Sequence, residues 1–415
     1  MMNVLRNREF ARLVSAHTVS QLGTGVTELA LPLIAAVTLS APAAQVGLLQ
    51  AAETVPILVL GLLAGVWVDR RQRKPLMVAS DLGRFALLLL IPLAAWRGWL
   101  SMPLLLGIMV AAGSLTVLFD IASQSFTAEL LDGDDLVGGN SLLQSSYAVG
   151  AIAGPGLAGL LIGAFQAPFA VLLDACSFLI SAVMIGSIRS PEPAATTNAV
   201  SPRSIRAELS EGLGVVWRSP ILRTLGLSTG VWNLFENARN AMLVLYLSRT
   251  LGASPAMIGL TYSAGAAGWL AGSLFSGPAA RRFGLDRAIV IGALLVLPAD
   301  VIVAVAGGTP AVAAFTVGVG FFLSGLFGPV YDVNQFSLRQ AMTPLRLQGR
   351  VGGVLRVIIR GTHPIGALLG GLLAGVIGLR GVAWLAVLGP IFAALLVWFS
   401  PVRGMREMPA RDTEN

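Results

Sequence analysis

One spacing constrains this chain more than any other property: features recur 212 residues apart. The offset relates Gly65 to Gly277, Asp120 to Asp332, Gly47 to Gly259, Gly154 to Gly366 and Gly159 to Gly371. A constant offset carried through successive hydrophobic segments requires two copies of one helical bundle, and parallel repeats of this kind in membranes usually enclose a central substrate pathway.

Composition identifies the solvent in which such copies are stable. Of 415 residues, 55% are hydrophobic and only 12% charged, with a mean hydropathy of +0.79, far from a water-soluble domain. A bilayer core about 30 Å thick is crossed by about 20 apolar residues of helix, and lipid cannot satisfy an irregular backbone. Charges and Gly/Pro turns divide the chain into twelve such stretches, six per repeat. The expected fold class is an all-α membrane protein with 12 transmembrane helices in two pseudo-symmetric six-helix bundles. The expected divisions are a bundle over 1–188, a linker over 189–219, a second bundle over 220–402 and a tail over 403–415. The linker begins RSPEPAATTNAVSP, and its later part places Ile205, Leu209, Leu213 and Val216 opposite Arg206, Glu208 and Glu211, the pattern of a helix lying on the membrane surface.

Basic residues set the expected orientation, because Lys and Arg near span ends stay in the cytoplasm. Of 28, only Arg97, Arg249 and Arg380 fall in expected external loops, and Arg84, Arg239, Arg356 and Arg360 lie within spans. Both termini are therefore expected in the cytoplasm of a bacterial inner membrane. The net charge of +7 sits in short turns, which suits anionic lipid headgroups and not nucleic acid. A monomer is expected. The single cysteine, Cys176, has no partner for an intrachain disulfide and reads as a small packing residue.

The clearest local motif is GLLAGVWVDRRQRKP, residues 61–75, between the second and third spans. It resembles the signature loop of the major facilitator superfamily, and Gly65, Asp69, Arg70 and Arg73 match that pattern. The resemblance implies that the glycine permits close helix approach and the charges latch one face shut. A second copy, GPAARRFGLDR at 277–287, keeps Gly277, Arg281 and Arg282, with Arg281 at the position of Asp69. Residues 119–163 (FDIASQSFTAELLDGDDLVGG onward), SDLGRF with Asp81 and Arg84, and the opening LRNREFARL are similar to the macrolide-efflux, siderophore-exporter and lysophospholipid-transporter branch of that superfamily. The branch's usual Gly-Asp of helix 1 stands here as Gly23-Thr24. Gly150, Gly154, Pro155 and Gly159 match the glycine-proline pattern that its antiporters use as a close-packed pivot, and small residues let backbones touch in lipid.

Polar residues on the first and seventh spans form two stripes: His17, Gln21, Thr24 and Glu28, and at the 212 offset Thr229, Asn233, Glu236 and Asn240, with Asn237 and Arg239 alongside. Such groups facing hydrocarbon would forfeit hydrogen bonds worth kilocalories, so both stripes are expected to line an aqueous cavity, with His17 solvated near its cytoplasmic end. Glu28 and Glu236 are the candidate proton carriers. Arg356, Arg360 and His363 share a helix face at i, i+4 and i+7 and could compete for those carboxylates, although His363 beside Pro364 could equally satisfy local backbone. Asp120 and Asp332 are assigned to a cytoplasmic gate with the two basic loops. Glu53, Asp174 and Asp300 are left between an external gate and the headgroups. The turn Asp132–Asp135 reads as a solvated cap for the next helix, not a calcium loop.

Three classes of function are separable. A P-loop needs Lys after its last Gly, and the only lysine, Lys74, is followed by Pro75, which excludes a Walker-type ATPase in this chain. An enzyme needs a catalytic grouping, and two distant histidines without HExxH do not supply one. No cofactor or metal is implied. The expected function is export of an amphipathic small molecule such as a macrolide or siderophore, in exchange for protons and by alternating access. The alternative on the same fold is a lysophospholipid flippase or a proton-independent facilitator.

Overall fold

The long apolar stretches fold, as hydropathy predicts, into helices throughout the computed structural model, which describes residues 7–68, 71–131, 135–189, 202–344 and 347–405. Thirteen α-helices are present among them: α1 Arg8–Leu33, α2 Ala43–Val68, α3 Arg73–Arg97, α4 Met102–Leu130, α5 Leu136–Phe165, α6 Ala167–Gly186, α7 Pro202–Arg218, α8 Pro220–Leu245, α9 Pro255–Phe283, α10 Leu285–Val305, α11 Pro310–Ala341, α12 Gln348–Ala386 and α13 Leu388–Trp398. Among the described residues, nine helical segments are both long and apolar enough to cross a membrane. Gly378 breaks α12 and starts a further segment that continues into α13; with α8 and α9, whose polar and small residues dilute their hydropathy, this accounts for all twelve expected spans.

The 212 offset holds in the backbone itself. Helices α1 and α8 start at Arg8 and Pro220 and pass into π-helical turns at Ile34–Thr38 and Tyr246–Thr250. Each π turn is followed by a left-handed residue at the same place, Ser40 and Gly252. The α5–α6 junction at Gln166 (φ 70°, ψ 155°) recurs at Gly378 (φ 76°, ψ 165°). That region of φ/ψ is nearly closed to residues with a Cβ, so Gln166 carries strain that Gly378 avoids. Gln166→Gly is expected to stabilise the protein by about 1 kcal/mol, read as a rise in apparent melting temperature in detergent.

The chain forms two compact units, residues 1–199 with 254–263, and 200–253 with 264–415. In the first, α1 packs on α5 and α6, α3 on α4 and α6, and α2 on α4. In the second, α8 packs on α12 and α13, and α10 on α11 and α13, which are the repeat counterparts of four of those pairs. Each unit has a buried cluster near one end: Phe10, Leu13, Met77, Phe119 and Phe126 in the first, and Leu225, Ile289, Tyr331 and Leu338 in the second. Outer faces stay apolar, with Leu274, Phe315 and Val376 largely exposed, as a lipid-facing surface requires. Trp96 and Trp99 are also exposed, on either side of Arg97, whose guanidinium lies 5.3 and 5.9 Å from their rings; this is the composition of an interfacial belt.

Helix α7 departs from the simple surface-helix expectation. Val216 is buried with Leu222, Val351, Val354 and Leu355, Gly212 lies directly on the Arg350 carbonyl, and Glu211 pairs with Arg350. Leu213 and Trp217, one turn apart, stay exposed. The side chains of Ile205, Arg206, Glu208 and Leu209 lie outside the described residues. Cys176 is exposed on α6 and is not the packing residue expected, because its face of the helix points away from the bundle.

Candidate transport site

Glycines set how closely the polar helices approach. A Cβ on Gly150 would lie 2.5 Å from the Gln21 carbonyl oxygen, and one on Gly154 would lie 2.6 Å from the Gly25 Cα, so α1 and α5 touch backbone to backbone. The pattern continues onto the first turns of α9, which belong to the same unit. A Cβ on Gly159 would stand 2.6 Å from the Pro255 carbonyl oxygen, Gly259 faces the Pro155 carbonyl, and Ser263 Oγ donates to Ile152 O at 2.7 Å. In the second unit Gly366 repeats the seam, with its Cβ position 2.5 Å from Leu234 O on α8. Gly23 is pressed against Asp174 and Ser177, which brings α6 onto α1.

On α1, Gln21 and Thr24 are half-buried and Glu28 is exposed. Glu28, Glu53 on α2 and Asp174 on α6 are near enough to feel one another's charge. Asp174 is buried and accepts from Ser177 Oγ at 3.2 Å, so it does not reach the headgroups. His17 is not solvated: it is buried, with Nε2 3.0 Å from Ser123 Oγ and its ring against Phe119 and Tyr147. Beneath them Arg84 pairs with Asp81, one helical turn before it, and stands over the Phe119 and Phe178 rings at 4.4 and 4.1 Å.

On α8, Thr229 is tied into structure, its hydroxyl 3.2 Å from the Tyr331 hydroxyl, which also meets Ser228. Asn233 approaches His363 Nε2 at 3.5 Å, and Asn237 Nδ2 donates to the Asn233 carbonyl. Arg239 is the hub. It pairs with buried Asp300 on α10, lies 3.8 Å from the half-buried Glu236, donates through Nε to Asn240 Oδ1 at 3.4 Å and sits over Phe321. Asp300 is therefore an internal counter-ion and not a headgroup contact. Arg356 and Arg360 do not reach Glu236. They are exposed, and with Arg339 they line a recess between the ends of α11 and α12.

The expected gate is only partly described. Asp69 and Arg70, and the surroundings of Gly65, lie outside the described residues. Arg73 pairs with Glu129 at the end of α4 in place of Asp120, because α4 runs past its expected end and carries Glu129 to the start of α3. Nearby, Lys74 Nζ donates to Ile188 O, and Arg12 to Ser187 O, joining α1, α3 and the end of α6. Asp120 and Asp332 are exposed, as are Arg281 and Arg282, and among the described residues Asp332 makes no ion pair with either arginine. Gly277 marks no close helix approach: a Cβ there would meet only the Arg281 side chain. The tight α9–α11 seam is at Gly265, Gly268 and Gly272, a small-residue spacing visible in GAAGWLAG. Of Asp132–Asp135 only Asp135 is described; it precedes α5 without a side-chain cap bond.

Two repeated six-span units with polar helices packed through glycine seams are the architecture of a membrane transporter. Residues 2–414 match the family described as transmembrane secretion effector. The chain belongs to this family of the major facilitator superfamily. It is 27% identical over 369 residues to the multidrug efflux pump Tap of Mycolicibacterium fortuitum (86% of this chain, 87% of the relative) and 23% identical over 355 residues to macrolide efflux protein A of Streptococcus pyogenes (85% and 86%). Its fold is similar to that of the nucleoside transporter NupG (TM-score 0.74, 11% identity, 94% and 97% covered). It is also similar to that of a bacterial homologue of the lysosomal transporter Spinster (TM-score 0.70, 16% identity, 94% and 96% covered).

Proposed function

We propose that this protein is a secondary active exporter of amphipathic small molecules, drugs or natural products, driven by proton antiport through alternating access. The observation that carries the reading is the contrast between carboxylates. Asp300 and Asp81 are fixed by buried arginines, whereas Glu28 is exposed among Glu53 and Asp174, and Glu236 is only loosely held by an arginine already paired elsewhere. A carboxylate without a committed counter-ion can exchange protons as its surroundings alternate between wet and dry. Efflux relatives support the direction, and the distribution of Lys and Arg supports termini in the cytoplasm of the inner membrane. The loops around Asp69, Arg70, Arg73, Arg281 and Arg282, with Asp120 and Asp332, are proposed as the cytoplasmic gate, and the protein as a monomer.

Proteoliposomes loaded with a macrolide, a siderophore and a cationic dye, with and without an imposed pH gradient, test this. Gradient-driven transport is expected, and Glu28→Gln or Glu236→Gln is expected to cut the gradient-dependent component at least about tenfold while leaving counterflow exchange. Full gradient-driven transport in both variants would remove these acids from the mechanism. Equal transport without a gradient would favour a facilitator or flippase instead.

A further inference from the structure

The recess between the last turns of α11 and the first turns of α12 has a volume of about 420 Å3. Arg339, Arg356 and Arg360 supply its charge, and Phe336, Leu355 and Ile359 part of its apolar wall. Arg356 and Arg360 stand one turn apart on α12, and Arg339 is half-buried with its guanidinium 5.4 Å from the Phe336 ring centre. Among the described residues none of the three has a carboxylate within ion-pair distance, whereas the neighbouring Arg350 is held by Glu211. Asp332, two turns before Arg339, is in electrostatic range of it but makes no ion pair. Of the uncharged polar side chains on the wall, Gln348 Nε2 donates to Gln340 O at 3.3 Å and Thr343 Oγ1 to Arg339 O at 2.7 Å. The three guanidinium groups are the charged donors of the wall. Like charges one turn apart repel, and the first turn of α12, beginning at Gln348, adds the positive end of a helix dipole.

We propose that this recess binds the oxyanion head of an amphiphile, with phosphate the best fit. Guanidinium groups grip phosphate through paired hydrogen bonds, and the aromatic and aliphatic wall takes up the first methylenes of the tail. A membrane phospholipid and a free amphiphile share this chemistry. The assignment does not depend on the exporter reading, because binding is measured without transport.

The test uses the full-length protein in phosphatidylcholine nanodiscs, titrated calorimetrically with hexyl phosphate, inorganic phosphate and hexyltrimethylammonium. Hexyl phosphate is expected to bind at least about tenfold more tightly than either other probe. Arg356→Gln with Arg360→Gln is expected to weaken it at least about tenfold, and Arg339→Gln by a smaller factor, in variants that keep the parent melting temperature. Arg356→Lys with Arg360→Lys, which keeps charge but loses the fork, is expected to fall between parent and glutamine variant. Arg350→Gln, outside the recess, is expected to leave affinity within about twofold. Nanodiscs containing about one-fifth phosphatidylglycerol separate the sources: weakened hexyl phosphate binding identifies membrane lipid as the occupant, and unchanged binding identifies a free amphiphile. Inorganic phosphate binding as tightly as hexyl phosphate, or undiminished affinity in the glutamine variants, overturns the proposal.

Discussion

Arg239→Ala is expected to destabilise the second unit by about 3–5 kcal/mol, because it strands the Asp300 carboxylate where only 3% of that residue is exposed. The ion pair itself need not be strongly stabilising. Removing two charges from water costs several kcal/mol per ion, and attraction in the interior roughly returns it, so the large loss comes from breaking the pair. Arg239→Leu combined with Asp300→Leu is therefore expected to recover most of the stability lost by Arg239→Ala, a coupling readable as a double-mutant cycle on apparent melting temperatures in one detergent. A cost under about 1 kcal/mol for Arg239→Ala would show that Asp300 finds another partner or water. The arginine also spans Glu236 and Asn240, so the double variant separates folding from transport: a stable protein that no longer transports would give the Arg239–Asp300 pair a part in transport as well as in the scaffold.

Gly154→Val is expected to be strongly damaging to the first unit. Its new Cβ would fall 2.6 Å from the Cα of Gly25, where the obstacle is backbone that cannot rotate away. Overpacking of this kind costs about 3 kcal/mol or more, because α1 and α5 must separate along their seam. Gly163→Val, on the same helix with nothing within 4 Å of its Cβ position, is the matched control and is expected to cost under about 1 kcal/mol. Fluorescence-detected size exclusion of folded protein, followed by transport, reads both. Wild-type yield and activity for Gly154→Val would mean that the seam opens without penalty.

The fold was legible because lipid imposes simple requirements: long apolar helices, basic turns and a repeat that a constant offset exposes. The seams at Gly150 and Gly154 were legible too, since small residues at i and i+4 within a span have few other uses in a membrane. The polar interior was less so. Thr229 and Glu236 have the same polar spacing along α8, yet one is locked to Tyr331 and the other is half-open, and only the neighbouring helices decide which. His17 failed for the same reason: Ser123 and Phe119 are more than 100 residues away in sequence. Asp174 and Asp300 were left undecided because depth along a span gives no information about the direction a side chain faces. The Glu129 partner of Arg73 was missed because α4 continues beyond its apolar core.

The matched junctions at Gln166 and Gly378 give the molecule an internal control. Because one backbone conformation is carried by glutamine in one half and glycine in the other, exchanging the two residues transplants a single side chain between twin environments within one polypeptide. Any difference between the halves that survives the exchange belongs to their surroundings, and any that follows the residue belongs to the turn.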